Sequence, residues 1–209
     1  MLFLFSQKIT WIVMFFLTRF VYKFEVIGKE NIENLKPPLI IVSNHKSYWD
    51  HFFLGVAATP KFNSPLLPFR FLASDHLFKT FLRPFVVLLG GFRNYRGQGL
   101  EISLKKPLAI LKNNGALIFY PEGGMVRETN KIGEPRRGIG ALALWSGVRI
   151  LPAAIKGSRD KKNGIKVIFG QPFLIKDLYN PQSQPYTEED FIKASRVIMD
   201  KVKELYFLV

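Results

Sequence analysis

The 209-residue sequence contains no cysteine. Disulfides, cysteine nucleophiles and thiolate metal sites are therefore excluded, and the chain suits a reducing compartment. Acidic residues are also few: 16 Asp and Glu stand against 30 Lys and Arg, a net charge of +14. A basic chain with 20 phenylalanines suits nucleic acid or an anionic membrane surface. It has no RNP-like aromatic motif, zinc-ligand spacing or basic helix-turn-helix pattern, so the membrane is the expected partner and nucleic acid is not. A nucleic-acid binder rests on net charge alone. Internal repeats and low-complexity linkers are absent, and only residues 180–185 look loose. The length fits one domain with a sizeable core, or a domain plus a membrane anchor.

An uncharged apolar run long enough to span a bilayer is missing too. Residues 2–20 are strongly apolar, but Lys8 and Arg19 interrupt them, and the uncharged stretch 9–18 is too short. No small-residue cleavage site follows, since Arg19, Tyr22 and Lys23 come next, which argues against a signal peptide. On a helix Lys8 and Arg19 fall about 20° apart, with Lys23 close by, so the charges share one edge. The expectation is a helix lying in the membrane interface, with Trp11 and its Leu, Phe and Ile neighbours dipping toward the acyl region. The alternative is a helix that packs back on the domain's own core.

From Phe24 onward strands and helices alternate. Strands are expected at 24–27, 39–43, 69–73, 116–120, 148–155 and 165–169. Helices are expected at 48–58, 101–112 and 138–146, with a helix broken by Pro84 within 75–89. Thr187 and Asp190 read as a capping box opening a last helix that runs to about Phe207. This alternation predicts an α/β fold with a mostly parallel central sheet flanked by helices.

The central stretch is Ile40-Ile41-Val42-Ser43-Asn44-His45-Lys46-Ser47-Tyr48-Trp49-Asp50. A buried-strand pattern ends in a polar turn, and an aspartate follows the histidine by five residues. On one continuous helix the two side chains would diverge, because five residues turn about 500°. With His45 in the turn and Asp50 in the first turn of the next helix, the carboxylate can reach the imidazole. That arrangement fixes the tautomer and steadies the protonated ring, as a general base requires. Ligands in open α/β sheets bind beyond the carboxyl ends of strands. Two further polar segments fall there, residues 90–96 with Arg93 and Arg96, and Tyr120-Pro121-Glu122-Gly123-Gly124. His51 follows Asp50 at about 100° on a helix and reads as a packing or surface residue, and His76 as structural. A metal held by His45, Asp50 and Glu122 lacks a compact motif.

Taken together these blocks resemble the glycerolipid acyltransferases, most closely the lysophosphatidic acid acyltransferases. Asn44, His45 and Asp50 match the family's Asn-His, four residues, Asp. Residues 90–96 resemble its glycine-rich strand ending in arginine. Leu77-Phe78-Lys79 resembles Glu-Leu-Phe-Lys, with His76 in place of the glutamate. Tyr120-Pro121-Glu122-Gly123 fits Phe-Pro-Glu-Gly-Thr-Arg, but Gly124 replaces the threonine and Met125 the arginine. Arg136-Arg137-Gly138 resembles Lys-x-Gly before a helix, and Ile150-Leu151-Pro152-Ala153-Ala154-Ile155 the apolar strand with an internal proline. The blocks occur in order over roughly residues 25–172.

With the membrane-interface helix expected over 1–23, the resemblance implies an acyltransferase domain over 24–209. It implies transfer of an acyl group from coenzyme A or acyl carrier protein to the hydroxyl of lysophosphatidic acid, with no cofactor. His45 is the implied base and Asp50 its partner, in direct transfer without a covalent intermediate. Asn44, Lys79, Arg93, Arg96, Glu122, Gly123, Gly124 and Arg127 are the implied substrate-binding residues. Glu122 and Gly123 would orient the glycerol, and Arg96 with Arg93 would fork onto the phosphate. Met125 cannot bind phosphate; Arg127 is the nearest substitute, with Lys131 or Arg136 as helpers. A different lysophospholipid or lipid alcohol is the alternative acceptor, and a non-catalytic lipid-binding membrane protein the alternative of another class. Phe52, Phe53, Leu54, Phe78 and the apolar residues within 81–89 line an acyl tunnel or form ordinary core. The implied location is peripheral or monotopic on the cytoplasmic face of a membrane.

Overall fold

The structure, a computed structural model, describes residues 2–59, 63–95, 97–128, 130–160, 162–182 and 184–208. Strands form where apolar runs meet turn residues: β1 (Phe24–Ile27), β2 (Leu39–Ser43), β3 (Phe69–Ala73), β4 (Gly91–Arg93), β5 (Ala116–Phe119), β6 (Arg149–Lys156) and β7 (Ile165–Phe169). Among the described residues they make one sheet in the order β1-β7-β6-β2-β5-β3-β4. Every pairing is parallel except β6 with β7. Five strands therefore run one way, while β1 and β7 run the other. The sheet is mostly parallel, with β2 at its centre.

Central position explains the sequence of β2. All five of its residues are buried, as a strand covered on both faces requires. Ile40 and Val42 pack with β5, β6 and the helices α5 (Leu100–Lys112), α6 (Gly138–Ser146) and α8 (Glu188–Phe207). Leu39 and Ile41 face the other way, onto α2 (Asp50–Ala58) and Met14 of α1 (Leu2–Phe16). The period-two alternation thus supplies two cores from one strand.

Short elements were harder to read. Pro84 does break 75–89: α3 (Asp75–Phe78) ends early, and α4 (Arg83–Leu88) restarts with the proline in its first turn, where its missing N–H is harmless. The three-residue 3₁₀ turn Lys29–Asn31 and α7 (Ile175–Leu178) lie in stretches without any expected helix, since one turn carries no period. The capping box of α8 is complete. Thr187 Oγ1 accepts from Asp190 N at 3.2 Å, and Asp190 Oδ2 accepts from Thr187 N at 2.8 Å.

Helix α6 needs Gly140. A Cβ there would lie 2.0 Å from the Phe191 carbonyl oxygen and 2.8 Å from Ser195 N, both backbone atoms of α8. Ser195 Oγ also accepts from Gly140 N at 2.9 Å. Gly140→Ala is expected to destabilise the fold by on the order of 3 kcal/mol, the overpacking clash outweighing alanine's better helix propensity. A melting curve would show it as a fall of roughly 6–12 °C.

Helix α1 turns its few polar side chains inward. Gln7 Nε2 donates to the Phe69 and Leu89 carbonyls at 2.7 and 2.8 Å, and its Oε1 accepts from Phe69 N at 2.9 Å. Ser6 Oγ donates to the Leu88 carbonyl and Trp11 Nε1 to that of Thr59. Packing back on the domain is thus how one edge of α1 is used. The opposite edge exposes Leu2, Phe5, Ile9, Val13, Phe16 and, beyond a π-helical turn (Leu17–Val21), Phe20 and Val21. The helix is inverted relative to a soluble amphipathic one. Although its uncharged core is short, the continuous Leu2–Val21 helix is long and apolar enough to cross a membrane by length and composition.

Candidate active site

The carboxyl ends of the five co-directional strands carry the polar segments. The turn after β2 holds His45, and α2 begins at Asp50. The carboxylate does reach back: His45 Nδ1 and Asp50 Oδ2 are 2.8 Å apart. The same oxygen accepts from Lys46 N at 2.6 Å and Ser47 N at 2.8 Å, while Oδ1 accepts from Ser158 Oγ at 2.5 Å. Asp50 is 0% exposed and the His45 side chain 13%. A fully buried carboxylate is tolerable only with this many donors.

A second layer fixes the histidine's backbone. Glu122, after β5, accepts from His45 N and from Gly133 N, each at 2.8 Å. Burial raises its carboxyl above the usual range, against the opposing pull of those two N–H groups and of Lys46. Lys46 is itself buried, donating Nζ to the backbone carbonyls of Glu128 and Lys131, and burial lowers its ammonium. Val126 N donates to the His45 carbonyl at 2.9 Å. The imidazole stacks on Tyr120, ring centroids 4.1 Å apart.

Two cavities meet here. One cleft of about 490 Å³ runs from His45 past Gly123, Gly124 and Met125 to Arg136 and Arg137. The other, about 310 Å³ and almost wholly apolar, extends beneath α1 between α2 and α4. They share Tyr48, His51, Phe71, Leu77 and Ile118. Of the residues expected to line a tunnel, Phe52, Leu82, Phe85, Val86 and Leu89 border the apolar cavity. Phe53 and Leu54 are core, and Phe81 is exposed.

The remaining expected site residues scatter. Asn44 is fully buried, its amide donating to the Ile155 carbonyl at 2.9 Å and accepting from Ile155 N at 2.8 Å. It ties β2 to β6 and has no side-chain surface for substrate. Glu122 likewise turns its oxygens to backbone rather than to the cleft. Lys79 and Arg93 both pair with Asp75 on the surface, and neither borders the cleft. Arg96 lies outside the described residues. Gly123 and Gly124 line the cleft as expected, and a Cβ on Gly123 would strike the Arg136 side chain at 2.7 Å. Arg127 is exposed and does not border the cleft; Arg136 and Arg137 do. Lys131 turns to Glu128. Among the described residues no three His, Asp or Glu side chains converge as metal ligands.

Sequence reading missed Ser158, whose hydroxyl completes the Asp50 shell across 108 residues. It also missed Gly133, and it named Arg137 only within the Arg136-Arg137-Gly138 block and not as a site residue. A signal existed only for Arg137, beside the glycine that opens α6.

A mostly parallel α/β sheet thus presents, beyond its central strand, a carboxylate-held histidine beside an apolar cavity. The chain belongs to the acyltransferase family, whose profile matches residues 23–156, well over half of its length. It is 27% identical to the 1-acyl-sn-glycerol-3-phosphate acyltransferase of Streptococcus pneumoniae over 156 residues, covering 71% of this chain and 55% of that protein. With the protein of the same name from Pseudomonas aeruginosa it shares 32% identity over 143 residues, 66% of this chain and 52% of the relative. The chain therefore spans about half the length of these curated relatives. Its fold matches the crystal structure of the 1-acyl-sn-glycerophosphate acyltransferase PlsC from Thermotoga maritima with a TM-score of 0.65 at 20% identity, over 96% of this chain and 80% of that one.

Proposed function

We propose that the protein transfers a fatty acyl group from an acyl thioester, on coenzyme A or acyl carrier protein, to the free hydroxyl of lysophosphatidic acid, giving phosphatidic acid. The observation that carries this is the His45–Asp50 pair at the junction of a polar cleft and an apolar cavity. Asp50 accepts the Nδ1 proton, which leaves the Nε2 lone pair free to take a proton from the acceptor hydroxyl. That hydroxyl attacks the thioester carbonyl, and the thiol departs with the proton returned through the ring. No covalent enzyme intermediate and no cofactor enter the scheme. The apolar cavity takes the acyl chain.

Phosphate recognition falls to Arg136, with Arg137 beside it, at the glycine turn where Gly124 and Met125 leave space. Guanidinium suits the phosphate fork. Among the described residues Arg136 has no ion-pair partner, whereas Arg137 pairs with Glu188. The apolar outer edge of α1 sits in the membrane interface, monotopic rather than spanning, because its inner edge is bound to the domain along its length. The cytoplasmic face, where thioester donors are found, is the proposed side.

The test is a transfer assay in liposomes with oleoyl-CoA and labelled lysophosphatidic acid. Product is expected from the wild type, and Arg136→Ala is expected to raise KM for the acceptor by about 10-fold, the loss of one charge-assisted phosphate contact. Transfer only to other lysolipids would move the acceptor. No transfer from either donor to any acceptor would leave a lipid-binding relative and end the proposal.

A further inference from the structure

Two buried polar atoms among the described residues lack a hydrogen-bond partner, His51 Nε2 and the Tyr120 hydroxyl. His51 lies at the neck shared by the catalytic cleft and the apolar cavity, and Tyr120 lines the cleft beside it. They touch each other and His45: ring centroids are 4.8 Å apart for His51–Tyr120 and 5.6 Å for His45–His51. An unpaired buried polar group is costly and asks what satisfies it. The polar side chains that α1 turns to the apolar cavity are satisfied. Gln7 is held by Phe69 and Leu89, Thr10 donates to the Ser6 carbonyl, and Trp11 to that of Thr59.

The chemistry of the two atoms is complementary. The His51 ring bonds the backbone of Tyr48. With Nε2 unpaired, that bond is Nδ1–H to the Tyr48 carbonyl, so Nε2 is a bare acceptor. Burial first, and then the neighbouring His45, push this imidazole down to about 3, so it does not become a donor at working pH. The Tyr120 hydroxyl supplies a donor, and burial holds it well above its ordinary range. One acceptor and one donor on rings in contact fit a group that does both, which is a hydroxyl. Tyr120 also stands where the motif given above has phenylalanine, so the hydroxyl is not what the shared chemistry needs.

Resting on the acyl-transfer reading, we propose that this neck selects acyl donors carrying a hydroxyl close to the thioester, on carbon 2 or 3. The ring spacing favours that end of the chain. His51 and Tyr120 stand within one ring contact of the base, so the group they meet lies one or two carbons from the carbonyl under attack. A hydroxyl farther down the chain would sit among Phe52, Val56, Phe85 and Leu89, where nothing accepts it.

The test compares 3-hydroxydodecanoyl-CoA with dodecanoyl-CoA, both with lysophosphatidic acid. The wild type is expected to favour the hydroxylated donor in kcat/KM by at least about tenfold. Tyr120→Phe and, separately, His51→Leu are expected to bring that ratio to within about threefold of unity, whatever their absolute rates. A wild-type ratio near one, or a ratio that neither variant moves, overturns the proposal. If neither donor is turned over, the transfer reading falls, and binding decides this one independently. In that case 3-hydroxydodecanoate added to the protein in detergent should shift the His51 Nε2 nitrogen resonance, and dodecanoate should not. Equal shifts, or none with either acid, would mean that only water fills the neck.

Discussion

His45→Ala is expected to cut acyl transfer by about 10²–10⁴-fold, the usual contribution of a positioned general base. Nothing else in the cleft replaces it. His51 is buried and turns one nitrogen to backbone, and Lys46 is locked onto two carbonyls. The fold should survive. Asp50 keeps three of its four donors, and the lost Tyr120 stacking and single hydrogen bond are worth about 1 kcal/mol, a fall of about 2–4 °C in Tm. Initial rates at saturating donor, beside a melting curve, separate the two effects. A variant that keeps more than about a tenth of the wild-type rate would remove His45 from the chemistry.

Asp50 is expected to give the largest combined effect, and two substitutions divide it. Asp50→Ala strands the His45 ring N–H, two backbone N–H groups and the Ser158 hydroxyl. Breaking such a buried set costs roughly 3–5 kcal/mol, and Tm should drop by about 10 °C or more, with transfer lost. Asp50→Asn is gentler for a geometric reason. Three of the four bonds converge on Oδ2, so an amide oxygen placed there keeps them, while its NH₂ meets Ser158 Oγ, a hydroxyl able to accept. Tautomer and fold are retained and only the charge disappears. Its rate should fall by about 10–100-fold with Tm nearly unchanged. An Asp50→Asn variant as unstable as Asp50→Ala would mean that Ser158 cannot reverse its role.

What was legible in the sequence follows from what is local. The double-faced burial of β2 could be read from its uninterrupted aliphatic run. Pro84 marks the restart at α4, and Thr187 with Asp190 marks the first turn of α8. His45 and Asp50 could be paired because a turn and one helix start separate them. Residues assigned by motif alone fared differently. Asn44 and Glu122 belong to the site, yet their partners lie 111 and 77 residues away. Both hold backbone in place. Arg127 was the nearest arginine in sequence to the missing position, but the chain after Gly124 turns so that Arg136 reaches the cleft.

The N-terminal helix shows the same division in one element. Its composition raised the expectation of a membrane, and its sparse polar residues offered no face to water. Only packing revealed that Ser6 and Gln7 are directed inward to cap carbonyls of β3 and of the end of α4, which leaves the apolar edge outermost. By itself the sequence determined the strand–helix order, the central apolar strand and the pairing of His45 with Asp50, since periodicity and short-range geometry fix these. Tertiary structure decided the reversed direction of β1 and β7, the four donors on Asp50, the arginine at the cleft and the two unpaired atoms at its neck. Each of those depends on groups distant in the chain meeting within hydrogen-bond reach, and no local pattern encodes that distance.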